Sequence, residues 1–313
     1  VVSLLSAGED DKALATMQTL VEVTPESADV YYQLALIQLK TEKPSDARES
    51  LEEALARRAD YPKAQVELGR LDIADKRYEE ALHIANRLRE SHPDAGFGYE
   101  LQGDINHARE EFKQAAEMYI IALEKAGSDE VARKLFLSRM RAGEHESAHE
   151  GLRQWLEEHP EDTKLRSMLA MTLQSSGQEQ EAIEHYLRIL DTEPDNVTIL
   201  NNLAWLYQEA GNPEGVKYAE RAHELAPHRL EVTDTLGWLL VQNGEINRGL
   251  VLLQEARVKA PHIPDIHYHM AVALYKAGRI DESRKELDRL LKTGKSFHDL
   301  DEAKALRDKL AEL

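Results

Sequence analysis

The chain has 313 residues, 42% of them apolar, 31% charged and 6% aromatic, with a formal net charge of −19. Charge-rich, aromatic-poor composition of this kind favours helices, and so acidic a surface repels phosphate backbones, which argues against generic nucleic-acid binding. No apolar run approaches the roughly 20 residues a bilayer span needs, and the absence of Cys excludes disulfides, thiolate metal sites and cysteine nucleophiles.

The elements read as a repeat from the first residues onward. Pro25, Pro93, Pro160, Pro194, Pro227 and Pro261 fall near multiples of 33–34 residues, with Ala59 and Gly127 on the two missing beats. Proline there stops one helix before the next begins. Twelve residues upstream of most beats stands a small residue: Ala13, Ala47, Ala81, Ala115, Ala148, Ala182 and Gly249. Such side chains let antiparallel helices approach closely. Five residues earlier the turn often carries glycine, at Gly8, Gly143, Gly177, Gly244 and Gly278, with Gly211 in a turn one residue shorter. Glycine tolerates the left-handed conformation that ends a helix.

The first helix of each repeat carries a large residue followed by a small one: Leu34-Ala35, Leu68-Gly69, Leu169-Ala170, Leu203-Ala204, Leu236-Gly237 and Met270-Ala271. Gln102-Gly103 keeps only the small member. Leu135-Phe136 keeps only the large one, so that repeat should pack differently. The period divides the chain into a partial repeat at 1–27, eight repeats between 28 and 296, and a terminal segment at 297–313. The eight run 28–61, 62–95, 96–128, 129–162, 163–196, 197–229, 230–263 and 264–296. By this register Val1 lies in the middle of a first helix, so the reading expects a truncated chain with further repeats upstream. In the terminal segment Leu300, Ala303, Leu306 and Leu310 line one helix side, as a cap over the last apolar face requires.

This pattern resembles the tetratricopeptide repeat, with its large-small pair, second-helix alanine and terminal proline at a 34-residue period. The resemblance implies an all-α, right-handed superhelical solenoid of antiparallel helix pairs with a C-terminal capping helix. It implies a protein-binding role, with ligands held in a concave groove lined by the first helices, at the second, fifth, ninth and twelfth positions of each repeat. In this sequence those positions include Thr198, Asn201, Trp205, Gln208, Glu231, Asp234, Trp238, Asp265, Tyr268 and Tyr275. Large rigid aromatics such as Trp205 and Trp238, in equivalent slots of adjacent repeats, favour binding hot spots. The competing reading packs both between neighbouring helices. The carboxylate clamp of chaperone-binding members is disfavoured, because Glu231, Asp234 and Asp265 flank Asn201 and Asn202 and would repel a carboxylate. A basic or mixed-polarity ligand fits better.

Catalytic chemistry finds little support. His145-Glu146-Ser147-Ala148-His149 matches H-E-x-x-H literally, but Ala148 is already the small packing residue and His145 sits at the turn. The reading is a solvated helix start. His262, His267 and His269 read as surface or groove histidines, since His267 and His269 point about 200° apart on a helix and do not easily share a metal. No phosphate-binding or dinucleotide glycine loop occurs, no G-x-S-x-G occurs, and no cofactor or metal is expected.

The last third, from Asn201-Asn202-Leu203-Ala204-Trp205-Leu206 through Asp234-Thr235-Leu236-Gly237-Trp238 to Pro264-Asp265-Ile266-His267-Tyr268-His269, resembles the C-terminal repeats of bacterial TPR lipoproteins of exopolysaccharide and PEP-CTERM systems. That resemblance implies a periplasmic, outer-membrane-anchored scaffold for polysaccharide synthesis, export or secretion, its lipid anchor lying upstream. A cytoplasmic adaptor binding a peptide, or the non-catalytic arm of a larger enzyme, remains open at this point, as does direct polysaccharide contact through the tryptophans.

Overall fold

A computed structural model describes residues 8–312, and the expectation that Val1 lies within a first helix falls outside them. The described residues form 18 helices and no strands. They gather into two compact bodies, the first ending at Leu165 and the second starting at Arg166.

The first body runs α1 (Asp10–Val23), α2 (Ala28–Lys40), α3 (Pro44–Arg57), α4 (Pro62–Ala74), α5 (Tyr78–Ser91), α6 (Phe97–Ala108), α7 (Phe112–Ala126), α8 (Asp129–Arg141) and α9 (His145–Glu158). After α10 (Thr163–Ser175), which carries the division, the second runs α11 (Glu179–Thr192), α12 (Val197–Glu209), α13 (Gly215–Leu225), α14 (Leu230–Gln242), α15 (Ile246–Lys259), α16 (Pro264–Lys276), α17 (Ile280–Lys292) and α18 (Leu300–Ala311). The main helix contacts join consecutive helices, and first helices of adjacent repeats also touch, as in α4 with α6, α12 with α14 and α14 with α16. Local interfaces of this kind are how a solenoid builds its core.

One turn, used eight times, sets the pairing. After each first helix a left-handed residue reverses the chain, and the next N–H closes back on the carbonyl five residues earlier. These bonds run from Lys43 to Gln38, Arg77 to Asp72, Glu111 to Asn106, Glu144 to Arg139, Gln178 to Leu173, Asn212 to Tyr207, Glu245 to Leu240 and Arg279 to Leu274, all at 2.7–2.9 Å. This is the Schellman closure of a helix C-terminus. In five of these turns the left-handed residue is glycine, at positions 143, 177, 211, 244 and 278. In the other three it is Glu42, Lys76 or Glu110, at φ of 58°, 60° and 63°. The backbone bonds of the turn itself hold these residues where glycine would sit without strain.

The small-residue slot is buried throughout: Ala47, Ala81, Ala115 and Ala182 are fully inaccessible. Two members escaped the sequence pattern. Gly215 packs against the Ala204 carbonyl, and a Cβ there would lie 2.7 Å from that oxygen. Ser283 is buried and donates its hydroxyl to the Ala271 carbonyl at 2.7 Å. In the α14–α15 pair Gly249 faces Gly237, and a Cβ on Gly249 would stand 2.5 Å from the Gly237 oxygen. At the C-terminal end, Ala303 and Leu310 of α18 are fully buried against Tyr268, Ala271, Leu287 and Leu290.

The repeat carrying Leu135-Phe136 packs differently. Phe136 occupies the small slot, is buried, and stacks on His149 with ring centroids 6.3 Å apart. The reading of His145 to His149 as a solvated helix start is therefore corrected in part: His145 is exposed, but His149 is only 1% exposed. The reason is its place beside Ala148 on the face of α9 that meets α8. Beyond Phe136, Gly151 leaves a cleft of about 390 Å³ lined by Leu123, Leu135, Arg139 and Trp155.

Candidate functional site

In the second body, the first helices α12, α14 and α16 present corresponding positions to a common concavity of about 500 Å³. Trp205 and Gln208 come from α12, Asp234 and Trp238 from α14, and Asp265 and His269 from α16. Glu209, His298 and Asp299 complete the lining. His298 and Asp299 lie in the loop before α18, so the terminal segment contributes to this wall as well as to the packing of α16.

His269 is the organising residue. It is 3% exposed, and its Nδ1 lies 3.0 and 2.9 Å from the two carboxylate oxygens of Asp234. With the carboxylate accepting, Nδ1 carries the proton. Trp238 stacks on the imidazole at 4.3 Å between centroids, with 25° between planes, and Trp205 lies 5.9 Å from it. Trp205 donates its indole Nε1–H to Thr235 Oγ1 at 2.9 Å, and Thr235 in turn donates to the Glu231 carbonyl at 2.8 Å. Trp205 is thus fixed at its edge and Trp238 against the His269 ring, while both remain half-buried and part of the lining. Fixed aromatics of this kind offer contact area at small entropic cost.

Five of the ten residues selected from the sequence meet here: Trp205, Gln208, Asp234, Trp238 and Asp265. The other five lie outside the lining. Thr198 is exposed and accepts from Arg229 at 3.3 Å, and Glu231 pairs with the same arginine at 2.6 Å. Asn201 is half-buried, and its Oδ1 is enclosed with no hydrogen-bond partner. Tyr268 is 8% exposed, between Trp238 at 6.1 Å and Phe297 at 6.2 Å. Tyr275 packs in the same cluster, with the Lys309 ammonium 5.0 Å from its ring centre. The reading of His267 and His269 as surface or groove histidines is corrected in part: both are buried, each against its own carboxylate, although His269 does line the groove. His267 bonds Glu286 through Nδ1 and the Pro261 carbonyl through Nε2.

Four lining residues were not among the ten: Glu209, His298 and Asp299, and also His269, which reads from the sequence only as a surface or groove histidine. His269 is the sixth residue of its repeat, and this position looks back on the preceding repeat: Thr235, the sixth of its own, reaches Trp205 in the same way. His298 and Asp299 lie beyond the repeat register altogether. Burial pushes the Asp299 carboxyl above its usual range, aided by the nearby charges of Glu302 and Asp265. Burial and the Glu179 charge do the same to Glu209.

Among the described residues, no group of three or more His, Asp or Glu side chains is arranged to hold a metal ion. No described helix is long and apolar enough to cross a membrane. The cavity therefore offers aromatic faces, an imidazole edge and carboxylates.

Comparison with known proteins agrees with this architecture. Family models described as tetratricopeptide repeat match residues 38–97 and 240–310, 1–62, and 185–216. A model described as bacterial transcriptional activator domain matches residues 122–198. Cellulose synthase 1 operon protein C of Komagataeibacter xylinus is 25% identical over 256 residues, covering 76% of this chain and 18% of that protein. The chain thus spans less than a fifth of that relative. The TPR repeat-containing protein YpiA of Bacillus subtilis (strain 168) is 21% identical over 295 residues, covering 91% of this chain and 68% of that protein. Among solved structures, the APC/C hetero-tetramer Cut9-Hcn1 aligns with a TM-score of 0.51 at 12% identity, over 96% of this chain and 59% of that one. With its all-helical paired architecture, eight recurring Schellman turns and these matches, the chain belongs to the tetratricopeptide-repeat family.

Proposed function

We propose that this chain is a non-catalytic protein-interaction scaffold of a bacterial envelope assembly for exopolysaccharide synthesis, export or secretion, and that its working surface is the Trp205/Trp238 cavity. The observation that carries the interaction reading is this concavity, built from three consecutive first helices around two fixed tryptophans. Rigid aromatics in a concave groove are the residues that dominate protein–protein binding energy. The polysaccharide context is supported by similarity to two proteins of Komagataeibacter xylinus named for the cellulose synthase operon, 25% and 28% identical to this chain. The same reading places the protein in the periplasm, held to the outer membrane by a segment upstream of these repeats.

The test is binding of the full chain to the synthesis and export subunits of its host's polysaccharide system. Replacing both Trp205 and Trp238 with Ala should weaken that binding more than about tenfold, as loss of a hot-spot pair does. Circular dichroism of the variant should still show the helical fold. A folded double variant that binds normally removes the cavity from the reading. Fractionation that finds the protein in the cytosol returns it to the class of cytoplasmic adaptors.

A further inference from the structure

The grooves of the two bodies carry charge that is answered in opposite ways. In the first body, Arg70 meets Glu67 and Glu100 at 2.7 Å each, and Lys134 meets Glu100 and Asp104 at 2.7 Å each. Asp104 also accepts from the Tyr119 hydroxyl at 2.7 Å. The groove there is closed on itself by its own cations. Around the second body's cavity stand Asp234, Asp265, Glu209 and Asp299, and no lysine or arginine belongs to the lining. Asp234 is taken by His269. Asp265 and Glu209 have no ion-pair partner among the described residues, and Asp299 has only the His298 ring at 3.9 Å.

We infer that this cavity is a receptor for an arginine side chain presented by the protein partner, with the guanidinium lying along the tryptophan faces and bonded to the rim carboxylates. The inference rests on the interaction reading above and specifies the chemistry of that partner. Three features lead to it. First, His269 is nearly wholly buried and spends Nδ1–H on Asp234, so in the neutral imidazole the Nε2 edge, which has no partner among the described residues, is left as an acceptor for a donor in the cavity. Second, the Trp205 indole N–H is already committed to Thr235, so that residue offers its face and not a donor. Third, the rim adds unpaired carboxylates, leaving Gln208 as the only amide. A lining made mostly of acceptors and π-faces selects a ligand made of donors. A neutral sugar, whose hydroxyls need donors as well as acceptors, is matched less well. Guanidinium offers five donors in a plane, stacks on indole, and pairs bidentately with carboxylates. Besides burial, like charges raise Asp299 and Glu209, and a bound cation would relieve that part of the repulsion.

The experiment titrates the full chain with a short Gly/Ser peptide carrying one arginine, and with the same peptide carrying citrulline, which keeps the shape and loses the charge. The indole N–H signals of Trp205 and Trp238, assigned by single Trp→Phe variants, report binding. The arginine peptide should move both signals, and citrulline should weaken its binding about tenfold, the scale of a desolvated charge-assisted bond. Asp265→Asn combined with Asp299→Asn, two partly exposed rim positions, should weaken arginine binding roughly three- to tenfold. Equal binding of the two peptides overturns the inference without recourse to any variant. So does an unchanged affinity in a folded D265N/D299N chain. A cello-oligosaccharide or a glucosamine oligomer that moves the indole signals at lower concentration than the arginine peptide reassigns the cavity to a glycan. If no peptide binds while W205A/W238A still abolishes partner binding, the arginine assignment falls and the scaffold reading stands.

Discussion

The turn that recurs eight times allows a clean test of how this sequence encodes its fold. Glu42, Lys76 and Glu110 adopt positive φ where five sister turns use glycine. Their side chains are exposed and hold no hydrogen-bond or ion-pair partner among the described residues. Replacing each with glycine therefore removes backbone strain from the folded chain without breaking a side-chain bond. A left-handed conformation costs an L-residue about 1–2 kcal/mol. Glycine gives back about 0.4–1 kcal/mol through the greater entropy of its unfolded chain. The net gain is about 1 kcal/mol per site, and about 3 kcal/mol for the triple variant, because the sites lie in separate turns and should add. The converse substitutions are equally clean. A Cβ at Gly143, Gly177, Gly244 or Gly278 would meet nothing within 4 Å, so Gly→Ala there carries only the conformational cost, again about 1 kcal/mol net. Urea denaturation followed by circular dichroism measures both series. A triple glycine variant no more resistant than the parent, or a Gly244→Ala chain that loses nothing, would refute the claim that left-handed closure sets the helix pairing.

Three further outcomes follow from the packing and the buried charges. Gly249→Ala places a methyl 2.5 Å from the Gly237 oxygen and from Val241 Cγ2, so the α14–α15 pair must separate, at a cost of about 1–3 kcal/mol read from the denaturation midpoint. Gly151→Ala meets only the movable end of Arg139, at 2.7 Å, beside an open cleft; it should stabilise by about 0.5–1 kcal/mol through helix propensity, and a destabilised variant would show that the Arg139 bond to the Ser147 carbonyl matters more. The hydrogen bond to Glu286 raises the His267 pKa above its ordinary value, so its stabilisation is complete below about 6.5 and fades as pH rises through the raised value. Burial pushes Glu286 up, but its bonds to His267 and Arg257 outweigh this and hold it low, so its share is present above about 4.3 and is lost as pH falls through the depressed value. His267→Gln should accordingly cost about 1–2 kcal/mol between those limits and little at pH well above the His267 value, measured by thermal unfolding across pH; a loss independent of pH would mean that packing, not the ion pair, is what His267 supplies.

The amino-acid sequence by itself determined the repeat. Period, small-residue slots, turn glycines and large-small pairs are contacts between residues close in the chain, and such contacts leave a periodic trace. It also marked Trp205, Asp234, Trp238 and Asp265, because groove positions recur at fixed offsets within each first helix. It did not mark Glu42, Lys76 and Glu110 as left-handed, since the bonds that hold them belong to a turn whose pattern glycine only sometimes announces. Nor did it find Gly215 and Ser283, which fill the small slot of their own repeats.

Only the tertiary structure decided what the groove is made of. Burial of His269 beside Asp234 depends on how one repeat stacks on the next, and a two-residue offset on α16 separates it from His267, which serves a different carboxylate. Stacking likewise turned Tyr268 into a packing residue beneath Phe297, although its register matches that of Asp234 in the preceding repeat. His298 and Asp299 come from a loop with no periodic constraint, and they join the cavity because α18 folds back onto α16 and α17. Periodicity records which face of a helix points inward. Which side chains then meet across three repeats and a terminal loop is set by interhelical packing, and that information is distributed over residues far apart in the chain.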